Sequence, residues 1–221
     1  MNALRGGLFV LCLLAAGVAQ AADMTVLRYV DQDPGDPPYL TRIFVTPAFL
    51  RMDDGNDDGD FILLDRKQKK VINVMHGNQL AMVFTAAPLP PPPANWKPRL
   101  DVKPGAPGTR RFSLVVGGVV CSEGVATQRT APDAARAMAE LKAVLAITQY
   151  RVWESSPSAI QHDCDLANQV WETGTTLKLG LPLEEREFTG RSRQYESESK
   201  QPLKPELFRV PEGMPEMVAP S

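Results

Sequence analysis

The sequence predicts an α+β domain, in which a curled antiparallel sheet of about eight or nine strands, half-open and barrel-like, is covered by two helices. Three observations support this fold class. Short runs rich in β-branched and aromatic residues dominate positions 24–85, two helical patterns occupy 130–171, and a further strand pair follows at 181–199. A sheet of this size must curl, and helices on its concave face would fill the curl.

The first half of the chain has the pattern of an antiparallel meander. A strand at 26–30 ends at the turn cluster DQDPGDPP, and a strand at 39–52 follows. Because proline inside a strand marks an edge or a bulge, Pro47 predicts a bend in that strand. Gly77-Asn78 and Gly117-Gly118 are two-residue hairpin signals. The remaining strands of this half are predicted at 61–64, 71–75, 80–84, 111–116 and 119–125.

Residues 88–109 form a proline-rich loop between these strands. The stretch PLPPPPANWKP has polyproline II character and cannot join the interior of a sheet. We interpret the loop as a stiff, exposed connector. The alternative is a docking strip in which Trp96 is an exposed aromatic contact for a partner.

Two helices are predicted after the loop. Thr130 and Asp133 resemble a capping box, and an apolar stripe then recurs at spacings of three or four. A shorter helix is expected at 157–171, and a final hairpin turns at Thr189-Gly190. The tail LFRVPEGMPEM reads as irregular, so residues 22–221 are predicted to form one domain. The stripe consists of Ala134, Met138, Leu141, Leu145, Thr148 and Val152.

Residues 1–21 have the pattern of a secretory signal peptide. Arg5 supplies the positive end, residues 6–18 are apolar, and Ala19-Gln20-Ala21 offers small residues to the peptidase. The apolar run is shorter than the roughly 20 residues of a membrane-spanning helix. We therefore predict a periplasmic protein, secreted through this signal peptide, with no membrane span in the mature form.

Charge and cysteine content narrow the function classes. Loss of Arg5 changes the formal net charge from −2 to −3, which gives no electrostatic reason to expect a nucleic-acid partner. Cys12 leaves with the signal peptide, so Cys121 and Cys164 remain and are predicted to form a disulfide. In the chain-entropy model, closing that loop of roughly 43 residues stabilises the fold by about 4 kcal/mol.

Catalytic chemistry has little support in the sequence. Only two histidines, His76 and His162, are available, and the glycine motifs of serine hydrolases and phosphate-binding loops are lacking. The run His162-Asp163-Cys164-Asp165 cannot converge on one ion if it is helical, since consecutive side chains point in different directions. We therefore predict no catalytic residues, no enzyme activity and no cofactor.

The acidic stretch DGNDDGDFILLD, residues 54–65, allows two interpretations. Asp54, Asn56 and Asp58 fall where a calcium loop places its first ligands. The flanking residues read as strands rather than helices, and a strand would carry Asp65 away from Asp54. We therefore favour an acidic hairpin turn, and these three residues are only weak metal candidates.

Several motifs resemble those of LolA-like periplasmic proteins, and particularly of their uncharacterised secreted bacterial relatives. The motifs are FLRMDDG, FILLDRKQKKVINVM and LAMVF near the start, and PELFRVPEGM near the end. The resemblance implies a curled sheet around an apolar space that accepts a lipid or a lipoprotein acyl chain. The helical middle with Cys121 and Cys164 departs from the lipoprotein carriers.

Three functional hypotheses follow. The first is a non-catalytic periplasmic protein that binds a lipid or another hydrophobic ligand. The second is an envelope protein that docks a protein partner through the proline-rich loop, and the third is a hydrolase that the motifs do not reveal. For the first hypothesis, residue types that suit a packed core equally well are the candidate cavity lining: Phe44, Phe49, Leu50, Phe61, Leu63, Val83, Met138, Leu141, Leu145 and Trp153.

Overall fold

A single curled sheet of 12 strands dominates the computed structural model, which describes residues 23–219. The predicted signal peptide, residues 1–21, lies outside the described residues. The strands are β1 (Asp23–Gln32), β2 (Tyr39–Val45), β3 (Phe49–Asp53), β4 (Phe61–Asp65), β5 (Lys70–Met75), β6 (Leu80–Thr85), β7 (Arg99–Pro104), β8 (Thr109–Val116), β9 (Val119–Thr127), β10 (Leu181–Glu187), β11 (Ser192–Pro202) and β12 (Glu216–Val218). The helices are α1 (Pro132–Ser155) and α2 (Asp163–Leu166).

The sheet is curled but not closed. Its strand order is β12-β6-β5-β4-β3-β2-β1-β11-β10-β9-β8-β7, so β12 and β7 form the two edges. Neighbouring strands are antiparallel except β12, which pairs in parallel with β6. The predicted α+β class with a curled antiparallel sheet and two helices is therefore confirmed.

The prediction of eight or nine strands is wrong, for three separate reasons. Pro47 does not bend one strand but lies in a tight turn between β2 and β3, where the Thr46 amide donates to the Phe49 carbonyl (2.9 Å). Residues 99–104, assigned to the proline-rich loop, form the edge strand β7, which tolerates Pro104 because one side is unpaired. The tail, expected to be irregular, contributes β12.

Helix α1 covers the concave face of the sheet. Its buried residues Ala134, Met138 and Leu141 pack against side chains of β1, β2 and β3, including Leu27, Ile43 and Leu50. Burial of this apolar stripe, at about 25 cal/mol per Å² removed from water, is the main force that holds the helix on the sheet.

One arginine fastens the start of α1 to the sheet. Arg66, in the turn between β4 and β5, donates two hydrogen bonds to Asp133 (2.9 and 3.0 Å) and two to Glu140 (2.6 and 3.1 Å). Asp133 is thus not a helix cap: α1 begins after Ala131, which has a left-handed φ of 35° and makes no capping bond with its side chain. The predicted capping box is wrong because the Asp133 carboxylate binds Arg66 instead.

The second helical region is broken rather than continuous. A short 3₁₀ turn at Ser158–Ile160 precedes α2, and α2 continues directly into a π-helical turn at Ala167–Trp171. Among the helices within residues 23–219, none is both long enough and apolar enough to cross a membrane.

The C-terminal tail covers the convex face of the sheet. Leu207 and Phe208 are buried there against strands β1 to β6, and Phe208 stacks on Phe49 with ring centroids 5.9 Å apart. Arg51 joins this layer to the sheet, because its guanidinium donates to the Leu207 carbonyl (2.9 Å) and pairs with Asp53 (2.9 Å). Half of the sheet is therefore covered on both faces.

Candidate ligand-binding site

A cavity of about 260 Å³ lies between the concave face of the sheet and α1. Ile43 pairs with Met52 across β2 and β3, so both side chains and that of Leu50 point to this face. On α1, spacings of three and four place further apolar side chains opposite them. Together they form the apolar wall of the cavity: Ile43, Leu50, Met52, Met138, Leu141, Leu145 and Leu177.

The opposite side of the cavity is polar and comes from different elements. Strands β10 and β11 and the region around the π-helical turn supply most of it, with two residues of α1 beside them. We call this set the polar wall: Lys142, Gln149, Asn168, Gln169, Thr173, Glu185, Glu187, Arg191, Ser192 and Arg193.

Within the polar wall, Arg193 is held in place by hydrogen bonds to a buried carboxylate. Its guanidinium donates two hydrogen bonds to Asp31 (2.7 and 2.6 Å), and Thr41 donates a third to the same carboxylate (2.8 Å). Burial alone would raise the pKa of Asp31, but the hydrogen bonds and the positive charge of Arg193, together with the hydrogen bond from Thr41, outweigh it and hold that pKa below its usual value. Arg193 is therefore neutralised by a carboxylate behind the wall.

The charged residues of the polar wall differ in whether they have a partner among the described residues: the two arginines have one, whereas the lysine and the two glutamates do not. Arg191 pairs with Asp33 (3.5 Å) and Arg193 with Asp31, both of which lie outside the cavity lining. Within residues 23–219, the side chains of Lys142, Glu185 and Glu187 form no ion pair and no hydrogen bond. Burial raises the pKa of Glu187, although the neighbouring Lys142 opposes that shift.

A neutral group adds to this unpaired set. The Oγ1 atom of Thr173 is buried and has no hydrogen-bond partner within the part of the chain that the structure describes. An unpaired buried hydroxyl costs free energy, so a bound polar atom that completes its hydrogen bond would be favoured.

The residues predicted to line a cavity separate into two groups on opposite faces of the sheet. Leu50, Met138, Leu141 and Leu145 line the cavity under α1. Trp153 lies beyond it, where its indole donates to the His162 carbonyl (3.2 Å). The others pack under the C-terminal tail on the convex face: Phe44, Phe49, Phe61, Leu63 and Val83.

The sequence pattern could not separate these two groups. Strands that are buried on both faces read as nearly continuous apolar runs, so alternation does not tell which side chain faces which way. The polar wall was missed because β10 and β11 read as an ordinary charged hairpin. The only sequence signal for the polar wall was the register of the β10–β11 hairpin, which turns at Thr189-Gly190 and places Glu185 opposite Arg193.

Residues 54–60 of the acidic stretch form the turn between β3 and β4, and its last five residues are β4 itself. The Asp54 carboxylate accepts from the Asn56 amide (3.1 Å), and the Asn56 side-chain oxygen accepts from the Asp58 amide (3.1 Å). Arg51 donates to the Asp57 carbonyl (2.9 Å) and holds the turn against the sheet. No group of three or more His, Cys, Asp or Glu residues within 23–219 is placed to hold a metal ion.

The predicted disulfide between Cys121 and Cys164 is confirmed. Its Cα atoms are 4.8 Å apart, and both residues are buried, at 0% and 3% exposed. Cys121 lies where the register between β8 and β9 shifts, so the bond fastens α2 to an irregular part of the sheet. The same region places Asn168 at the cavity, because its amide donates to the Cys121 carbonyl (2.9 Å).

Trp96 is packed against the protein rather than fully exposed. It is half-buried and meets Trp171 edge to face, with ring centroids 4.7 Å apart. The indole of Trp171 in turn donates to the Pro90 carbonyl (3.0 Å). The proline-rich loop therefore lies against the helical region, which differs from the exposed aromatic contact expected for a docking strip.

Comparisons with known proteins give little guidance. No protein-family model matches the chain, and no curated protein matches it. Two solved structures of PNGF-II, in space groups C2 and P21, match with TM-scores of 0.44 and 0.37, at 11% and 10% sequence identity. Each match covers 90% of this chain but only 31% and 32% of the PNGF-II chains, so the chain spans about a third of their length. At these TM-scores the likeness supports no inference about function.

Proposed function

We propose that this chain is a non-catalytic periplasmic protein with a LolA-like fold, and that it binds a lipid or another hydrophobic ligand in the cavity under α1. The observation that carries the proposal is the apolar wall, where seven apolar side chains from β2, β3, α1 and the turn before β10 face one space. Transfer of an apolar chain from water to such a wall is favourable at about 25 cal/mol per Å² buried.

The size of the cavity limits the ligand. A volume of about 260 Å³ lies just below the ~300–1,000 Å³ that is typical of small-molecule sites. One short apolar chain fits this space, whereas two long acyl chains would require α1 to move. The second hypothesis, docking through the proline-rich loop, has less support because Trp96 packs on Trp171.

Native mass spectrometry of protein purified from the periplasm tests the proposal. We expect a bound amphipathic molecule on the parent protein and its loss from Leu145→Trp, which would fill the cavity. Val152→Trp is the matched control, because it adds the same side chain to the same helix at a position 56% exposed. Equal binding by Leu145→Trp and the control, or no bound ligand on any of the proteins, would contradict the proposal.

A further inference from the structure

The polar wall of the cavity holds free charges of both signs, which suggests what the polar part of a ligand looks like. Lys142 extends from α1, whereas Glu185 and Glu187 extend from β10 on the same face of the sheet. These charged groups are close enough to influence one another, since Lys142 and Glu185 shift the pKa of Glu187 in opposite directions.

The two arginines nearby already have carboxylate partners. Arg193 is held by two short hydrogen bonds to Asp31, and Arg191 by the ion pair with Asp33. Within residues 23–219, the charges of the wall that have no hydrogen-bonded or ion-paired partner are therefore one ammonium and two carboxylates. Burial raises the pKa of Glu187 although the charges of Lys142, Arg191 and Arg193 oppose that shift, so its ionised form is less favoured than that of a solvated glutamate.

We propose that the cavity selects an amphiphile with a zwitterionic polar end, in which a cationic group lies against Glu185 and Glu187 and an anionic group lies against Lys142. The inference rests on the proposed function, because the tail of the ligand would lie on the apolar wall. A purely anionic headgroup would meet two carboxylates, and a purely cationic one would meet Lys142. Only a polar end with both charges satisfies all three groups, and its oxygens can also complete the hydrogen bond of Thr173.

Competition between amphiphiles with identical tails tests the headgroup separately from the tail. A fluorescent apolar probe in the cavity would be displaced by decylphosphocholine, decyltrimethylammonium, decyl sulfate or decanol, each below its micelle-forming concentration. We expect decylphosphocholine to displace the probe at a concentration about tenfold lower than decanol does, because hydrogen bonds between charged groups away from bulk water are stronger than those of a neutral hydroxyl. Decyl sulfate should be the weakest competitor, because its anionic headgroup meets two carboxylates.

Two substitutions assign the two halves of the headgroup. Glu187→Gln should weaken decylphosphocholine and decyltrimethylammonium while leaving decanol unchanged, and Lys142→Gln should weaken decylphosphocholine but not decyltrimethylammonium. Glu184→Gln is the matched control, since Glu184 is exposed on the opposite face of the same strand. Lowering the pH through the raised pKa of Glu187 protonates its carboxylate and should reproduce the effect of Glu187→Gln. The charged groups that face Glu187 are Lys142, Glu185, Arg191 and Arg193.

The outcomes separate this inference from the proposed function. If all four amphiphiles displace the probe equally, or decyl sulfate does so best, the zwitterion assignment is wrong while the hydrophobic site stands. If none displaces it and Leu145→Trp binds the probe as the parent does, the proposed function fails and this inference fails with it.

Discussion

The two halves of the sheet are built in different ways. Strands β1 to β6 are covered on both faces, by α1 on the concave side and by the C-terminal tail on the convex side. Strands β7 to β11 have a convex face that is polar and open to solvent. One cross-strand row along it carries the exposed residues Lys103, Arg111, Glu184 and Gln194, with the half-buried Val125 between Arg111 and Glu184.

This difference shows what each half requires to be stable. The covered half derives its stability from two apolar layers, so the tail is part of the core rather than an appendage. The open half has one apolar layer and relies on further fastening, which the disulfide supplies. The cavity lies where the halves meet, with its apolar wall in the covered half and its polar wall on β10 and β11.

The largest effect is expected from removing the convex layer. Phe208→Ala should lower the free energy of unfolding by about 3–5 kcal/mol, because a buried aromatic ring that is 6% exposed is replaced by a void. Denaturant unfolding followed by circular dichroism measures this loss. Val102→Ala, on the open half and 42% exposed, is the control and should change stability by no more than about 0.5 kcal/mol.

Similar losses from the two variants would mean that the tail does not form part of the core. The comparison between the halves would then be wrong, because the convex face of β1 to β6 would have to be stable without its cover.

An intermediate effect is expected from opening the disulfide of the other half. Replacing both Cys121 and Cys164 by alanine removes a link across 43 residues and should cost about 2–4 kcal/mol. Hydrogen exchange should show the loss of protection mainly in β9 and α2, with β4 and β5 much less affected. Uniform loss across both halves would instead indicate that the two halves unfold as one unit.

Much of the fold could be predicted from local patterns. The hairpins at Gly117-Gly118 and Thr189-Gly190, the helix α1 and the disulfide all follow from signals within a few residues or from cysteine count. The strand count could not be predicted correctly, since Pro47 fits a bend as well as a turn. Strand β12 has only three residues and exists because β6 offers a free edge.

The candidate site was less predictable because its contacts are distant in sequence. Arg193 meets Asp31 across 162 positions, and no periodicity in a single sequence reports such a pair. Four of the seven residues of the apolar wall were predicted by residue type, whereas Ile43, Met52 and Leu177 were not. The face that each side chain takes could not be predicted, since Ile43 points into the cavity whereas its neighbour Phe44 points to the convex side. Which face a side chain takes depends on what covers each face, and that depends on the whole fold.

The smallest effect is expected from weakening the ion pairs by which Arg66 joins α1 to the covered half. Arg66 holds the pKa of the Asp133 carboxyl below its usual range, so ionised Asp133 stabilises the folded state. That contribution is fully present above the pKa of about 4 that Asp has in an unfolded chain, and it is lost as the pH falls through the lower folded-state pKa. Because the Asp133 side chain is 42% exposed, solvent screening limits the cost of Asp133→Asn to about 1 kcal/mol at neutral pH.

The difference in unfolding free energy between the parent and Asp133→Asn, measured from pH 7 down to pH 3, checks this linkage. It should stay constant near neutrality and shrink only under acidic conditions, as the parent carboxyl takes up a proton. A difference close to zero at every pH would show that Arg66 binds α1 chiefly through Glu140. In that case the helix would be held about two turns further along, closer to Lys142 and the cavity, and Glu140→Gln would become the variant that loosens the site.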